Sequence, residues 1–172
     1  FFTAPHSVLH IAPEYCFLKP FRKLGAIDYV TADLVSPWAD VKLDVQAMPF
    51  PGSRFDVVIC NHVLEHVQSD IKAMREIYRV LKPGGFAILQ VPIDASRETT
   101  LEDPAINTPE LREQHYLQRD HQRLYGRDYA DRLRGVGFVV DENHFVDELP
   151  SNLVKRYALP AGEVLFICSK PA

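Results

Sequence analysis

The chain has 172 residues, 47% hydrophobic and 24% charged, with a formal net charge of −4. These values fit one globular domain with a sizeable core and argue against a basic surface made for nucleic acid or anionic lipid. No apolar run reaches membrane-span length, the start lacks a signal-peptide pattern, and Cys16, Cys60 and Cys168 lack CxxC spacing, so free thiols, a cytoplasmic location and no membrane insertion are expected.

In chain order, Ser7 to Ala12 is a short apolar run and the first expected strand. Glu14 to Leu24 reads as a helix, kinked at Pro20 and ended by Gly25. Ile27 to Leu34 is a second strand that carries Asp33 at its end, and Val41 to Val45 is a short third. The gap between Asp33 and Val41 is too small for a crossover helix, so a tight loop must join them. Phe55 to Cys60 is almost continuously hydrophobic, as a strand buried on both faces should be.

Ser69-Asp70 caps a helix to about Leu81, with Ile71, Met74, Ile77, Tyr78 and Leu81 at helical spacing. Pro83-Gly84-Gly85 stops it and throws the chain into a fifth strand, Phe86 to Ile93. Residues 94–124 are polar, and they form a long excursion where substrate loops usually lie. Arg127 to Leu133 is a helix ended by Gly135 and Gly137. Phe138 to Val146 is a sixth strand, and Val164 to Cys168 is a seventh, antiparallel to it. The sum is a single α/β domain: a Rossmann-like, mostly parallel seven-stranded sheet with helices on both faces and the last strand antiparallel.

Such sheets bind ligands at the carboxyl ends of their strands. The first strand-helix turn brings backbone amides to an adenosine-type cofactor, and an acid about twenty residues on accepts from the ribose hydroxyls. Asp33, with Leu34 beside it, has that place and spacing. A strand-ending Asp before a turn is the plainer reading of the same residue.

Four segments carry a resemblance: Asp44-Val45-Gln46-Ala47-Met48-Pro49-Phe50, Phe55-Asp56-Val57-Val58, Asn61-His62-Val63-Leu64-Glu65-His66 and Arg79-Val80-Leu81-Lys82-Pro83-Gly84-Gly85. Together they resemble the class I S-adenosylmethionine-dependent methyltransferases, in the subfamily that includes quinone-biosynthesis enzymes, over roughly residues 7–170. The resemblance implies that Asp44 approaches the adenine amino group, that Val45 and Gln46 flank the ring, and that Asn61 and His62 lie beside the methionine part. It also implies S-adenosylmethionine as cofactor and methyl transfer as the reaction. Family members usually carry one or more helices before the first strand. Here that leaves either a minimal domain or an upstream segment outside this chain.

The first turn departs from the family. An acid followed by Gly-x-Gly-x-Gly is usual there, whereas this chain reads His10-Ile11-Ala12-Pro13-Glu14-Tyr15-Cys16. Side chains at glycine positions limit backbone approach and disfavour positive φ. His10, Ala12, Pro13 and Glu14 are the cofactor residues expected here, with Glu14 replacing the lost acid, or else serving only as a first-turn helix acid. Similar Leu-His-Ile-Ala-Pro-Glu turns occur in bacterial methyltransferase-like sequences.

A general base serves methyl transfer to a hydroxyl or acidic carbon, and histidine suits it near neutral pH. The candidates are His62, at the end of the fourth strand, and His115 and His121 in the excursion. His66 competes less well, as a backbone-bonding or capping residue. His62-Val63-Leu64-Glu65-His66 also matches an inverted zincin motif, but the surrounding strand and Lys-Pro-Gly-Gly explain it better, and no metal is expected. Arg119 and Arg123 read as solvated surface or as a grip for an anionic substrate. The reading is methyl transfer to a small-molecule acceptor. The alternative is a catalytically silent module that keeps the fold.

Overall fold

The computed structural model describes residues 6–172. Seven strands form one sheet in the order β3-β2-β1-β4-β5-β7-β6. They are β1 (His6–Ile11), β2 (Ile27–Asp33), β3 (Val41–Lys42), β4 (Phe55–Asn61), β5 (Leu81–Gln90), β6 (Val139–Asn143) and β7 (Leu165–Ser169). β7 runs antiparallel to both β5 and β6, and the other pairings are parallel. The helices are α1 (Tyr15–Arg22), α2 (Asp70–Val80), α3 (Pro109–Tyr116), α4 (Tyr129–Val136), α5 (Phe145–Glu148) and α6 (Ser151–Tyr157).

Alternation along β1 and β4 sends side chains to two cores. Val8, Val57 and Ile59 pack on one face with Phe21 of α1. Leu9, Ile11, Val58 and Cys60 pack on the other, against Ala73, Met74 and Ile77 of α2 and Tyr129 and Leu133 of α4. Helices thus cover both faces, as expected. Ser69 caps α2 by accepting from the Lys72 amide, and a loop rather than a helix joins β2 to β3.

Several boundaries differ from the sequence reading. β3 stops at Lys42 because Asp44 folds onto the Gln46 amide and takes the chain out of the ladder. β5 begins at Leu81, which pairs with Phe55. Lys82 to Gly85 then loop out before Phe86 rejoins β4 beside Val57. Gly84 has φ 77°, and a Cβ on Gly85 would lie 2.8 Å from the Asp56 carbonyl oxygen, so both positions require glycine. β6 ends at Asn143, whose Oδ1 accepts from the Phe145 amide and starts α5. Within the excursion, Thr108 caps α3 and Leu117, at φ 66°, ends it.

Candidate active site

Parallel β1, β2, β3 and β4 place their carboxyl ends along one edge. A cleft of about 480 Å³ opens there, with Ala12, Asp33, Asp44, Gln46, His62 and His66 in its wall. Leu34 and Val45 also line it. Of the eleven cofactor positions expected from the sequence, His10, Pro13, Glu14 and Asn61 do not.

The first turn keeps a left-handed residue without glycine: Ala12 has φ 49°, and its amide donates to Ala32 O at 2.8 Å. An alanine held there costs about 1 kcal/mol. Ala12→Gly is expected to raise unfolding free energy by about 0.5–1 kcal/mol in urea titration, and a loss of stability would show the turn unstrained.

The support of this turn lies beneath it. His10 is fully buried. The Tyr29 hydroxyl donates to its Nδ1 at 2.8 Å, and Nε2–H donates to Glu14 Oε2 at 2.6 Å. Asn61 Nδ2 donates to Glu14 Oε1 at 2.9 Å. Burial pushes the Tyr29 phenol up to about 12, so it keeps its proton. Burial also works to raise the Glu14 carboxyl, but the bonds from His10 and Asn61 outweigh it and hold the group down at about 2.

Glu14 therefore ties β1, α1 and the end of β4 together as an anion. Its folded pKa lies below the ordinary carboxyl value of 4.5, so its contribution is present above pH 4.5 and is lost as pH falls towards 2. Between those limits wild-type stability should fall more steeply with acid than that of Glu14→Gln, as read by chemical unfolding at each pH. Parallel slopes would remove Glu14 as the coupled group.

Asp33 ends β2 with Oδ1 accepting from the amides of Val35 and Ser36, both at 2.7 Å. Oδ1 shapes the turn, while among the described residues Oδ2 accepts no hydrogen bond. Asp44 accepts from Gln46 N at 2.8 Å and from Gln46 Nε2 at 3.2 Å, and Gln46 Oε1 accepts from the Ser69 amide at 3.0 Å. The two residues expected to frame adenine are thus fixed to each other and to the start of α2. The free side of Asp33, the Asp44-Gln46 pair and the wall between them fit an adenosine with a ribose diol.

His62 is the hinge of the site. It has φ 54°, its side chain is 65% exposed, and its amide donates to Gln90 O at 2.8 Å. It lines the cleft and also a second cavity of about 540 Å³, walled by Ile93, Tyr129, Val164 and Phe166 among others. That second cavity is not legible in the sequence, because its walls come from the segment after β5, the start of α4, β6 and the approach to β7, which are distant in sequence.

The other histidines fall elsewhere. His115 is exposed near the end of α3 and lines neither cavity. His121 is buried behind the cleft wall; its Nδ1 lies 3.0 Å from Tyr116 O, and its ring packs edge-on against His66 at 4.8 Å. Residues 62–68 form turns rather than a helix, so the helical histidine pair of a zincin is not formed. Arg123 is no substrate grip: it is fully buried and bonded to carbonyls of residues 64, 67 and 68. Arg119 pairs with Glu110 and Glu113 at the surface.

Residues 17–89 match the family model described as a methyltransferase domain. The ubiquinone/menaquinone biosynthesis C-methyltransferase UbiE of Pasteurella multocida is 47% identical over 79 residues, 46% of this chain and 25% of that protein. Among solved structures, the 1,6-didemethyltoxoflavin-N1-methyltransferase of Burkholderia thailandensis, with bound S-adenosylhomocysteine, superposes with a TM-score of 0.65 at 16% identity, covering 98% of this chain and 72% of that one. Residues 17–89 thus carry the sequence pattern of a methyltransferase domain, and the chain takes the fold of S-adenosylmethionine-dependent methyltransferases. The chain spans about a quarter of the length of the curated relatives it matches. Its fold also matches the [4+2]-cyclase SpnF, with a TM-score of 0.67 at 17% identity over 98% of this chain and 76% of that one. No helix among its described residues is long and apolar enough to cross a membrane.

Proposed function

We propose that the domain transfers a methyl group from S-adenosylmethionine to a small-molecule acceptor seated in the second cavity. The observation that supports this reading most is that His62 forms a wall of both cavities. Two adjoining spaces with one accessible imidazole between them suit an in-line transfer from donor to acceptor.

The sulfonium supplies the methyl group and its own leaving group. Asp33 accepts from the ribose hydroxyls through Oδ2, while Asp44 and Gln46 frame the adenine. His62 orients the acceptor and takes its proton where the acceptor is a hydroxyl or acidic carbon. Tyr129, Val164 and Phe166 exclude water from the acceptor space. The buried Cys60 and Cys168 and the unpaired Cys16 suit a reducing, cytoplasmic setting.

The test is calorimetric titration with S-adenosylhomocysteine, followed by a methyl-donor turnover screen. Saturable one-site binding with turnover is the expected result. A second reading, a silent module, draws on the glycine-free turn and on the likeness to the cyclase SpnF, since a shared fold does not fix one chemistry. Binding without turnover across acceptor classes would favour it, and no binding to folded protein would remove the cofactor cleft from both readings.

A further inference from the structure

Behind the cleft wall, Glu65, His66 and His121 each offer one ligand atom, and these atoms lie within 4.8 Å of one another. The Glu65 side chain is only 2% exposed. Its Oε1 lies 3.4 Å from His62 Nδ1, whereas its buried Oε2 has no hydrogen-bond partner among the described residues. A buried carboxylate oxygen without a donor is costly, and a cation satisfies it.

The two imidazoles are prepared as ligands. His121 Nδ1 faces the Tyr116 carbonyl oxygen at 3.0 Å, which places the proton on Nδ1 and leaves the Nε2 lone pair for a metal. His66 Nδ1 faces Asp120 Oδ2 at 3.2 Å with the same consequence. A carbonyl or carboxylate behind each imidazole is the usual arrangement at metal-bound histidines. Arg123 fixes the backbone on either side by donating to Leu64 O and Val67 O.

We propose that Glu65, His66 and His121 bind one zinc ion, with its fourth position open to the cofactor cleft. Two imidazole nitrogens and one carboxylate oxygen are a borderline-soft set that suits zinc, and three protein ligands leave one position for water or a substrate oxygen. Ligand atoms about a bound zinc sit ~3.3 Å apart, so the side chains need close by only about an ångström or so. His66 is part-exposed and lines the cleft, so the ion can enter beside it. The ion brings two positive charges to one carboxylate, and the net charge of the filled site favours an anionic or polarisable oxygen in the open position. Binding of the ion stands apart from methyl transfer, whereas any role for it in catalysis rests on the proposed function.

The test uses the whole chain, stripped with chelator and titrated with zinc chloride against a chromogenic competitor. One zinc per chain is expected, with a rise in melting temperature, and cobalt(II) should give the visible bands of a four-coordinate site. Glu65→Gln and, at the cleft rim, His66→Ala should each weaken zinc on the order of 100-fold, and Asp120→Asn about 10-fold. His66→Ala serves as the second variant if Glu65→Gln fails to fold. Substoichiometric zinc, or an affinity that these variants leave unchanged, overturns the proposal. S-adenosylhomocysteine is titrated on the same samples. Cofactor binding without zinc sinks the metal site alone, and zinc binding without cofactor sinks the methyl-transfer reading alone.

Discussion

Arg123→Met should lower the unfolding free energy by about 3 kcal/mol or more, a large share of the stability of a domain this size. The guanidinium is fully buried. Nη1 donates to Leu64 O at 2.6 Å and Val67 O at 2.8 Å, and Nη2 donates to Gln68 O at 2.9 Å and Glu102 Oε1 at 2.9 Å. Methionine fills the volume but removes the guanidinium donors of the part-buried Val67 and Gln68 carbonyls and leaves Leu64 O only the Tyr125 hydroxyl at 3.2 Å, and each lost bond costs about 1–3 kcal/mol before relaxation.

Arg132 limits the damage, because it keeps bonds to Asp70 and Glu102. The loss therefore falls mainly on residues 64–68, the segment that follows His62 and carries Glu65 and His66. Urea unfolding gives the stability term, and S-adenosylhomocysteine titration below the transition gives the effect on the cleft. Arg123→Lys should not rescue, since one ammonium cannot span four acceptors held by a planar fork. A loss under about 1 kcal/mol would mean that the 64–68 segment is held by other contacts.

Arg123 also shows where reading the sequence stops. Its neighbours in the chain are polar, and Arg119, Asp120 and Gln122 are indeed at or near the surface. Nothing local marks residue 123 as buried, because its partners lie 21 to 59 positions away. Elements such as β4 and α2 were legible because periodicity is local: β4 reads as continuous hydrophobicity and α2 as a capped amphipathic run. Asp33 was legible for the same reason, at a strand end that the pattern itself locates, whereas Asp44 lies two residues beyond β3 and was indicated by the family resemblance.

The first turn was half legible. The missing glycines were plain, but not that Ala12 would keep a positive φ or that His10, Tyr29 and Glu14 would brace it from below. That bracing joins β1, β2 and the helix start, and only the parallel register of β1 on β2 brings Tyr29 opposite Val8, one turn of pleat from His10. The second cavity and the grouping of Glu65 with His121 needed the return of the excursion, which the Leu101–Leu124 bridge pins to the body. Helix α3 was missed because its eight residues are mostly polar and its signal is the cap, Thr108-Pro109, rather than any apolar stripe.

Asp33→Ala should weaken S-adenosylhomocysteine binding by about 30- to 150-fold, the equivalent of about 2–3 kcal/mol for charge-assisted bonds from a diol. Alanine alone leaves a doubt of cause, because Asp33 Oδ1 also holds the amides of Val35 and Ser36. Asp33→Asn separates the two roles. Its amide oxygen can keep both backbone bonds, so stability should stay near wild type, while Oδ2 is replaced by a donor and the charge is lost. Affinity should then fall about 10-fold or more with little change in melting temperature. If Asn binds as tightly as Asp, the carboxylate is only the end of a strand and the ribose lies elsewhere. If Ala and Asn both lose affinity while only Ala loses stability, Asp33 has both functions, one on each oxygen.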